Sequence, residues 1–540
     1  MAKKLAFSIL LSLVCPGALA LADAALPPRN PWLAAGPFPM SHHNPAQTDV
    51  SVVEGPTQGK QLERGDTQTV PVVWCSAPIV KQRGEHTTVI AGTPHGLVKI
   101  DATGEAFDVV SLMPYPAAGG DPSGIAHADI ARHMARIDEK RRRGEDSLLL
   151  SHTADMLREL ELNPRNAGSG VYGLIDKDGY HYTSYLATRL VKSFDGNEIG
   201  APLVPVRHVA VTDGLPEAEA RGIDRILGIS MTPDGHLVAA ATGALFVFDR
   251  ELQRKDVLLF PGEHVENSIA IDGEGIYLVT SKQMRRVVWT GEKLSMDEAD
   301  GAWASAYAVM PEGEAMRMGA ASHGSGTTPA LLGFGDDADK LVVISDGHPE
   351  GTQLVAFWRE AIPEGFEQKP GTLSRRIADQ IRIGVGPATI EASPVVYGNG
   401  VAVLNSTYPN PAPARLGILG NAFLAGTTRV PPLGVQKFEW KSDENRFVES
   451  WLLEDIDTTD LIAPAVSPQN GLAYVATKVD GVYEYRAVDW TTGELVARWP
   501  FPDDSVLWNN WGGITTLLED GDLLLGGFFA VKRYDIGHLR

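Results

Sequence analysis

Short apolar segments, each about the length of one strand, recur along the chain between clusters of Gly, Asp, Asn and Pro. The clearest stretch runs from Ile226 to Asp249. It reads ILGISM, the turn Thr232-Pro-Asp-Gly235, HLVAAA, the dipeptide Thr242-Gly243, then ALFVFD. Similar units start near Thr87, Gly170, Ser268, Thr327, Glu391, Ala463 and Gly512, which makes eight. Turn dipeptides such as Asp234-Gly235, Asn470-Gly471 and Asp520-Gly521 mark hairpins between strands of period two. A meander of three or four strands cannot cover both of its faces alone. Arranged radially, neighbouring meanders cover each other. The pattern therefore predicts an all-β fold, a β-propeller with eight blades preferred and seven second. A pair of β-sandwiches is the competitor, but sandwich strands would not repeat the strand–DG–strand–TG–strand order so regularly. The last unit runs out of chain after three strands. Thr69 to Ser76 (TVPVVWCS) is strand-like and would supply the fourth, closing the ring.

One region departs from period two. Between residues 117 and 166 the apolar positions Ile130, Met134 and Ile137 fall at helical spacing within Asp129 to Arg143. Thr153 to Leu162 reads as a second helix with Thr153 as its N-cap. This predicts a helical insertion over one face of the ring. The run Lys140-Arg-Arg-Arg143 suits a solvated helix C-terminus. Residues 362–388 and 407–436 read as further long inserts rich in Pro and Gly. The expected division is a signal peptide at 1–24, an extended lead-in at 25–68, and the propeller domain at 69–540.

Composition then narrows the function. The 540 residues carry 47 basic and 68 acidic side chains, a net charge of −21. Such a chain repels phosphate backbones, so no nucleic-acid partner is expected. Lys3 and Lys4, the apolar run Leu5 to Val14, and small residues at Ala18, Ala20, Ala22 and Ala24 form a secretory leader. The run is too short for the ~20 residues of a membrane span, so a periplasmic or secreted product is expected. Cys15 would leave with the leader. Cys75 would then stand alone, which excludes an internal disulfide and a C-x-x-C metal site. It reads as a half-buried strand cysteine beside Trp74.

Ligands of radial folds enter at one mouth of the central channel, beside the residues that precede each innermost strand. Those positions hold Asn166, Asp224, Asn267, His323 with Thr327 and Thr328, Glu391, Asp460 and Asn510. Oxygen donors dominate, the chemistry a hard divalent cation such as calcium takes. The candidate metal set is Glu391, Asn267, Asn510 and Asp224; the alternative is that these residues cap strand ends and bind channel waters. In Ser322-His-Gly-Ser-Gly-Thr-Thr-Pro329 two glycines allow positive φ, His323 is the candidate base, and Thr327 and Thr328 offer hydroxyls to a substrate. Trp508 and Trp511 flank two amides and either line a pocket or pack between blades. His42 and His43, adjacent on an extended segment, should point apart and serve structure or surface.

The lead-in Asn30-Pro-Trp32 with His43-Asn-Pro-Ala-Gln-Thr48 resembles the N-terminal entry of quinoprotein-like propellers. The strand–turn–strand units also resemble the gluconolactonase/strictosidine-synthase type. The lactonase resemblance implies one divalent cation held by Glu, Asn and Asp at the channel mouth. The quinone-dependent alcohol dehydrogenases carry an adjacent cysteine pair, which this chain lacks, so a quinone cofactor is not expected. Three functions stay open at this point. One is a propeller acting on or binding a small organic molecule, with metal-assisted hydrolysis as its chemistry. The second is a non-catalytic binding or assembly propeller with a protein partner. The third is a quinone-dependent oxidoreductase.

Overall fold

The middle strands of each blade are covered on both faces, so they read as continuous apolar runs; Leu237–Ala241 and Ala244–Phe248 are buried at every position. The outer strands carry the polar alternation, and Val204–Ala210 is exposed or half-exposed throughout. A computed structural model describes residues 25–116, 127–163, 166–317, 322–385 and 391–540. The leader expected at 1–24 and part of the insertion, residues 117–126, lie outside the described residues.

Eight antiparallel sheets form an eight-bladed β-propeller. Their innermost strands, blades 1 to 8 in order, are Ile79–Arg83, Gly173–Ile175, Ile226–Met231, Ala270–Asp272, Ala330–Leu332, Val395–Tyr397, Ala465–Ser467 and Thr516–Leu517. Apolar clusters bridge consecutive blades: Val238 and Leu245 of blade 3 pack with Ile276 and Leu278 of blade 4. Val343 and Trp358 of blade 5 pack with Val401 and Trp440 of blade 6. Blade 4 holds a fifth strand, Trp303–Ala306, paired with Gln283–Trp289.

The expected closing strand spans Thr67–Cys75 and pairs antiparallel with Gly527–Tyr534, with Val70 opposite Val531. Blade 8 therefore takes its outer strand from near the start of the chain, which ties both ends of the ring together. In blade 1 the first strand is Ile79–Arg83, not the segment starting at Thr87, which is the second strand. IVKQR has only two apolar residues, too few for period two to register.

The insertion holds two helices, α1 (His127–Arg143) and α2 (Asp146–Glu159). Thr153 is not an N-cap. It lies inside α2, its hydroxyl donating to Leu149 O at 2.8 Å. Ile130 and Ile137 of α1 and Leu149 and Met156 of α2 pack with Trp74, Trp511, Phe423 and Phe528, so the insertion rests on blade 8 and on part of the 407–436 insert. Arg429 of that insert binds Asp146 at 2.9 and 3.1 Å. Arg142 and Arg143 are exposed and pair with Asp504 and Glu139.

The lead-in is not extended. Residues 38–49 wind across the channel and bond to the innermost strands in chain order. Phe38 O accepts from Val80 N, Pro39 O from Ile175 N, and Pro45 O from Ile271 N. Ala46 O accepts from Leu331 N, Thr48 O from Val396 N, and Asp49 O from Val466 N, all at 2.7–3.1 Å. Six blades are thus pinned to one segment. The turning requires backbone that L-residues seldom adopt: His42, His43, Gln47 and Asp49 have φ of 61°, 68°, 58° and 56°. Such strain, on the order of 1–2 kcal/mol per residue, persists only where surrounding bonds over-determine it.

Candidate functional site

Residues 38–49 form a plug that divides the channel. Its bonds fall on Ile175, Ile271, Leu331, Val396 and Val466, while the residues just before these strands stand on one side of it. There they enclose a cavity of about 150 Å³, bounded by His42, Ser76, Tyr172, Asn267, Glu391 and Ser393, with Val171, Ala463 and Gly512 among the remainder. Apart from His42, which belongs to the lead-in, these residues precede the inner strands of blades 1, 2, 4, 6, 7 and 8. Only a closed ring brings them together.

Asn267 and Glu391 therefore share one cavity, as the oxygen-donor reading requires, and both are seated against Gly326. Asn267 Nδ2 donates to Gly326 O at 2.6 Å, while a Cβ on residue 326 would lie 2.4 Å from Glu391 Oε2. Gly326 has φ +63°, so both its backbone shape and the carboxylate's position demand glycine. Ser322 N donates to Glu391 Oε1 at 3.3 Å and Glu391 N donates to Ser406 Oγ at 2.6 Å. The amide of Asn267 is committed: its Oδ1 accepts from the Tyr172 hydroxyl and from Ser268 N, each at 2.8 Å. Burial pushes the Tyr172 hydroxyl up to about 12, so it stays a donor.

The other two members of the proposed metal set are elsewhere. Asp224 is exposed, with its backbone N–H donating to Thr242 Oγ1. Asn510 is buried behind the wall, its N–H donating to Asp460 Oδ2 at 2.7 Å. The four do not converge because positions counted from each strand start differ in depth and facing. Among the described residues no group of three or more His, Cys, Asp or Glu is placed to hold a metal. Asn166 caps the turn after α2 through Asn163 N at 2.9 Å.

His323 does not bound the cavity. Its Nδ1 lies 3.1 Å from Met310 O and its Nε2 4.0 Å from Glu266 Oε1. Burial pushes the Glu266 carboxyl up to about 7, aided by Glu312 and opposed by Arg225. Thr327 and Thr328 lie behind the wall: Thr327 Oγ1 shares a hydrogen bond with Ser325 Oγ at 2.6 Å, and Thr328 N donates to Ser393 Oγ at 3.2 Å. Trp508 and Trp511 pack. Trp508 donates to Asp503 and sits among Phe501 and Tyr534. Trp511 lies against Trp74 and Phe528. Cys75 is fully buried, and burial pushes its thiol up to about 12, so it is inert as a nucleophile.

The histidine pair is the feature that sequence reading missed. His42 and His43 are buried, not on the surface, and both face Asp49. His42 Nδ1 lies 2.8 and 3.0 Å from the two carboxylate oxygens, and His43 Nδ1 lies 3.7 Å from one. Burial would raise the Asp49 carboxyl, but the two imidazoles outweigh it and hold it below the usual range. A carboxylate only accepts, so His42 carries its proton on Nδ1 and leaves Nε2 as an acceptor. Among the described residues Nε2 has no hydrogen-bond partner, and His42 lies in the cavity wall. The sequence signal was present: an acidic residue seven positions from a histidine pair, with Asn-Pro between.

No protein-family model matches this chain. An uncharacterised protein of Archaeoglobus fulgidus is 31% identical over 329 residues, covering 57% of this chain, and the chain spans 61% of that relative's length. Similar solved structures include Sqt1 of Saccharomyces cerevisiae (TM-score 0.37, 11% identity, 64% of this chain and 76% of that one). BamB of Moraxella catarrhalis has a TM-score of 0.33 at 13% identity over 66% and 90%. The periplasmic gluconolactonase of Pseudomonas aeruginosa has 0.35 at 12% over 59% and 81%. All are likenesses of fold.

Proposed function

We propose that the protein is an enzyme that binds a small polar organic molecule in the channel cavity and acts on it by general acid–base catalysis. The observation that carries this is the His42–Asp49 dyad sharing a 150 Å³ cavity with Glu391. A cavity of that size takes a ligand of roughly benzene's bulk. His42 Nε2 would accept a proton from a water or substrate hydroxyl, and Asp49 would steady the imidazolium that forms. Glu391, which precedes the inner strand of blade 6, would hold the substrate's hydroxyl groups. Tyr172 and Asn267 keep the wall rigid by bonding each other, which preserves the distance between base and carboxylate. Hydrolysis of a small lactone fits this constellation: water attacks the carbonyl as His42 removes its proton, and the imidazolium returns that proton to the ring oxygen as the ester bond breaks, leaving the acid and the alcohol. The leader at 1–24 supports export as the setting of this activity.

Purified protein should be assayed against γ-butyrolactone and larger sugar lactones, with and without chelator. Activity should fall at least a hundredfold in His42→Gln and in Glu391→Gln, with little change in melting temperature. General acid–base groups contribute about 10²–10⁴-fold. Bound metal that disappears in Glu391→Gln, with activity lost to chelator, would replace proton transfer by metal assistance. Saturable ligand binding without turnover, unaffected by His42→Gln, would replace the enzyme by a binding module.

A further inference from the structure

On the other side of the plug lies a second cavity, of about 400 Å³. It is bounded entirely by residues of the lead-in, between Leu26 and Val52. Its position follows from the lead-in's bonds: Asn30 Nδ2 donates to Met231 O and Leu33 bridges Asp176, both at the exit ends of inner strands. The channel cavity sits at the entry ends, so the two are separated by the plug and by the His42–Asp49–His43 contact. A cavity of this volume falls in the range that holds drug-sized ligands, about 300–1,000 Å³.

Most of the wall is apolar: Leu26, Leu33, Pro37, Pro39, Val50 and Val52. Leu26 and Val52 are 42% and 54% exposed, an exposure that an apolar occupant would reduce. Four polar side chains break the wall, and one of them, Asn30, is committed to Met231 O and Trp32 N. His43 is 6% exposed, and neither of its ring nitrogens makes a hydrogen bond. Asn44 Oδ1 is likewise buried without a partner. Arg29 is exposed and forms no ion pair among the described residues, although the chain as a whole is strongly acidic. An unpaired cation beside an apolar cavity selects a carboxylate head over an ammonium head, and the wall selects a hydrocarbon body.

We infer that this cavity is a binding site for an apolar monocarboxylate, such as a medium-chain fatty acid, with its body between Leu33 and Val50 and its carboxylate at Arg29. The site is independent of the channel chemistry. It is tested by calorimetric titration of the full chain with decanoate, decanol and decyltrimethylammonium, each below its micelle concentration. Decanoate should bind once per chain, with the ammonium amphiphile at least tenfold weaker. Arg29→Ala should weaken decanoate roughly two- to fivefold, the range of an exposed ion pair, and leave decanol unchanged. Leu26→Asp, at an exposed position that tolerates charge, should weaken decanoate by tenfold or more. Glu391→Gln should change none of these. No saturable decanoate binding by about 1 mM, more than one molecule per chain, or equal affinity in Arg29→Ala and Leu26→Asp would each overturn the assignment.

Discussion

Asp49→Asn isolates what the plug contributes. The substitution keeps the shape and removes the charge. In the wild type, one imidazole N–H reaches both carboxylate oxygens at 2.8 and 3.0 Å, and a second stands at 3.7 Å from a fully buried acid. A hydrogen bond to a charged group is worth about 1.5–3 kcal/mol, and the asparagine retains one acceptor, so a net loss of about 2 kcal/mol follows. At about 2.1 cal/mol/K per residue of unfolding entropy, a chain of this length loses about 2 °C in melting temperature for that change. Asp49→Ala leaves two imidazoles facing a void and should cost about twice as much. The sign with pH is set by the depressed carboxyl. Its contribution is present above the unfolded value of 3.8 and is lost as pH falls through the folded value. Scanning calorimetry from pH 8 down to pH 3 should therefore show a gap between wild type and Asp49→Asn at neutral pH that closes in acid. A gap under about 0.5 °C at pH 7, or one that widens in acid, would refute a charged Asp49 anchoring the plug.

Further outcomes follow from the same structure. Gly326→Ala places a methyl 2.4 Å from Glu391 Oε2 at φ +63°, so activity should drop at least tenfold while the melting temperature falls by only about 2 °C, as strain of about 1–2 kcal/mol implies. Glu266→Gln should flatten the stability loss between about pH 4.5 and 7. The folded carboxyl titrates near 7, so its favourable contribution is complete below 4.5 and lost through 7, on the order of 3 kcal/mol. Asp346 titrates in the same window and leaves a residual slope, so an unchanged pH profile in the glutamine variant would count against the buried-acid reading. Val70→Asp buries a charge at the ring closure opposite Val531 and should cost roughly 3 kcal/mol or more, read as a lower melting temperature and faster proteolysis. Mass spectrometry of the exported protein should find its N-terminus between Ala18 and Ala25; an intact Met1 would refute the leader.

Read alone, the sequence determined the radial fold and its closing strand and favoured eight blades over seven, because these rest on local order. Strand, turn and strand recur in each unit, and ILGISM-type runs announce strands buried on both faces. It also determined that Asn267 and Glu391 stand ahead of inner strands. It did not determine which polar residues meet. Asp224 and Asn510 are both oxygen donors at the same nominal offset, yet one is exposed and the other is buried outside the cavity wall with its backbone N–H on Asp460. One residue of register or depth moves a side chain to another face. The plug was illegible for a different reason. Its shape is held by long-range backbone bonds to six of the eight blades, and its four non-glycine residues at positive φ contradict local propensity. A segment whose conformation is imposed by partners up to 417 residues away, such as Val466 on Asp49, carries almost no local signal, and the histidines that bound the two cavities lie within it.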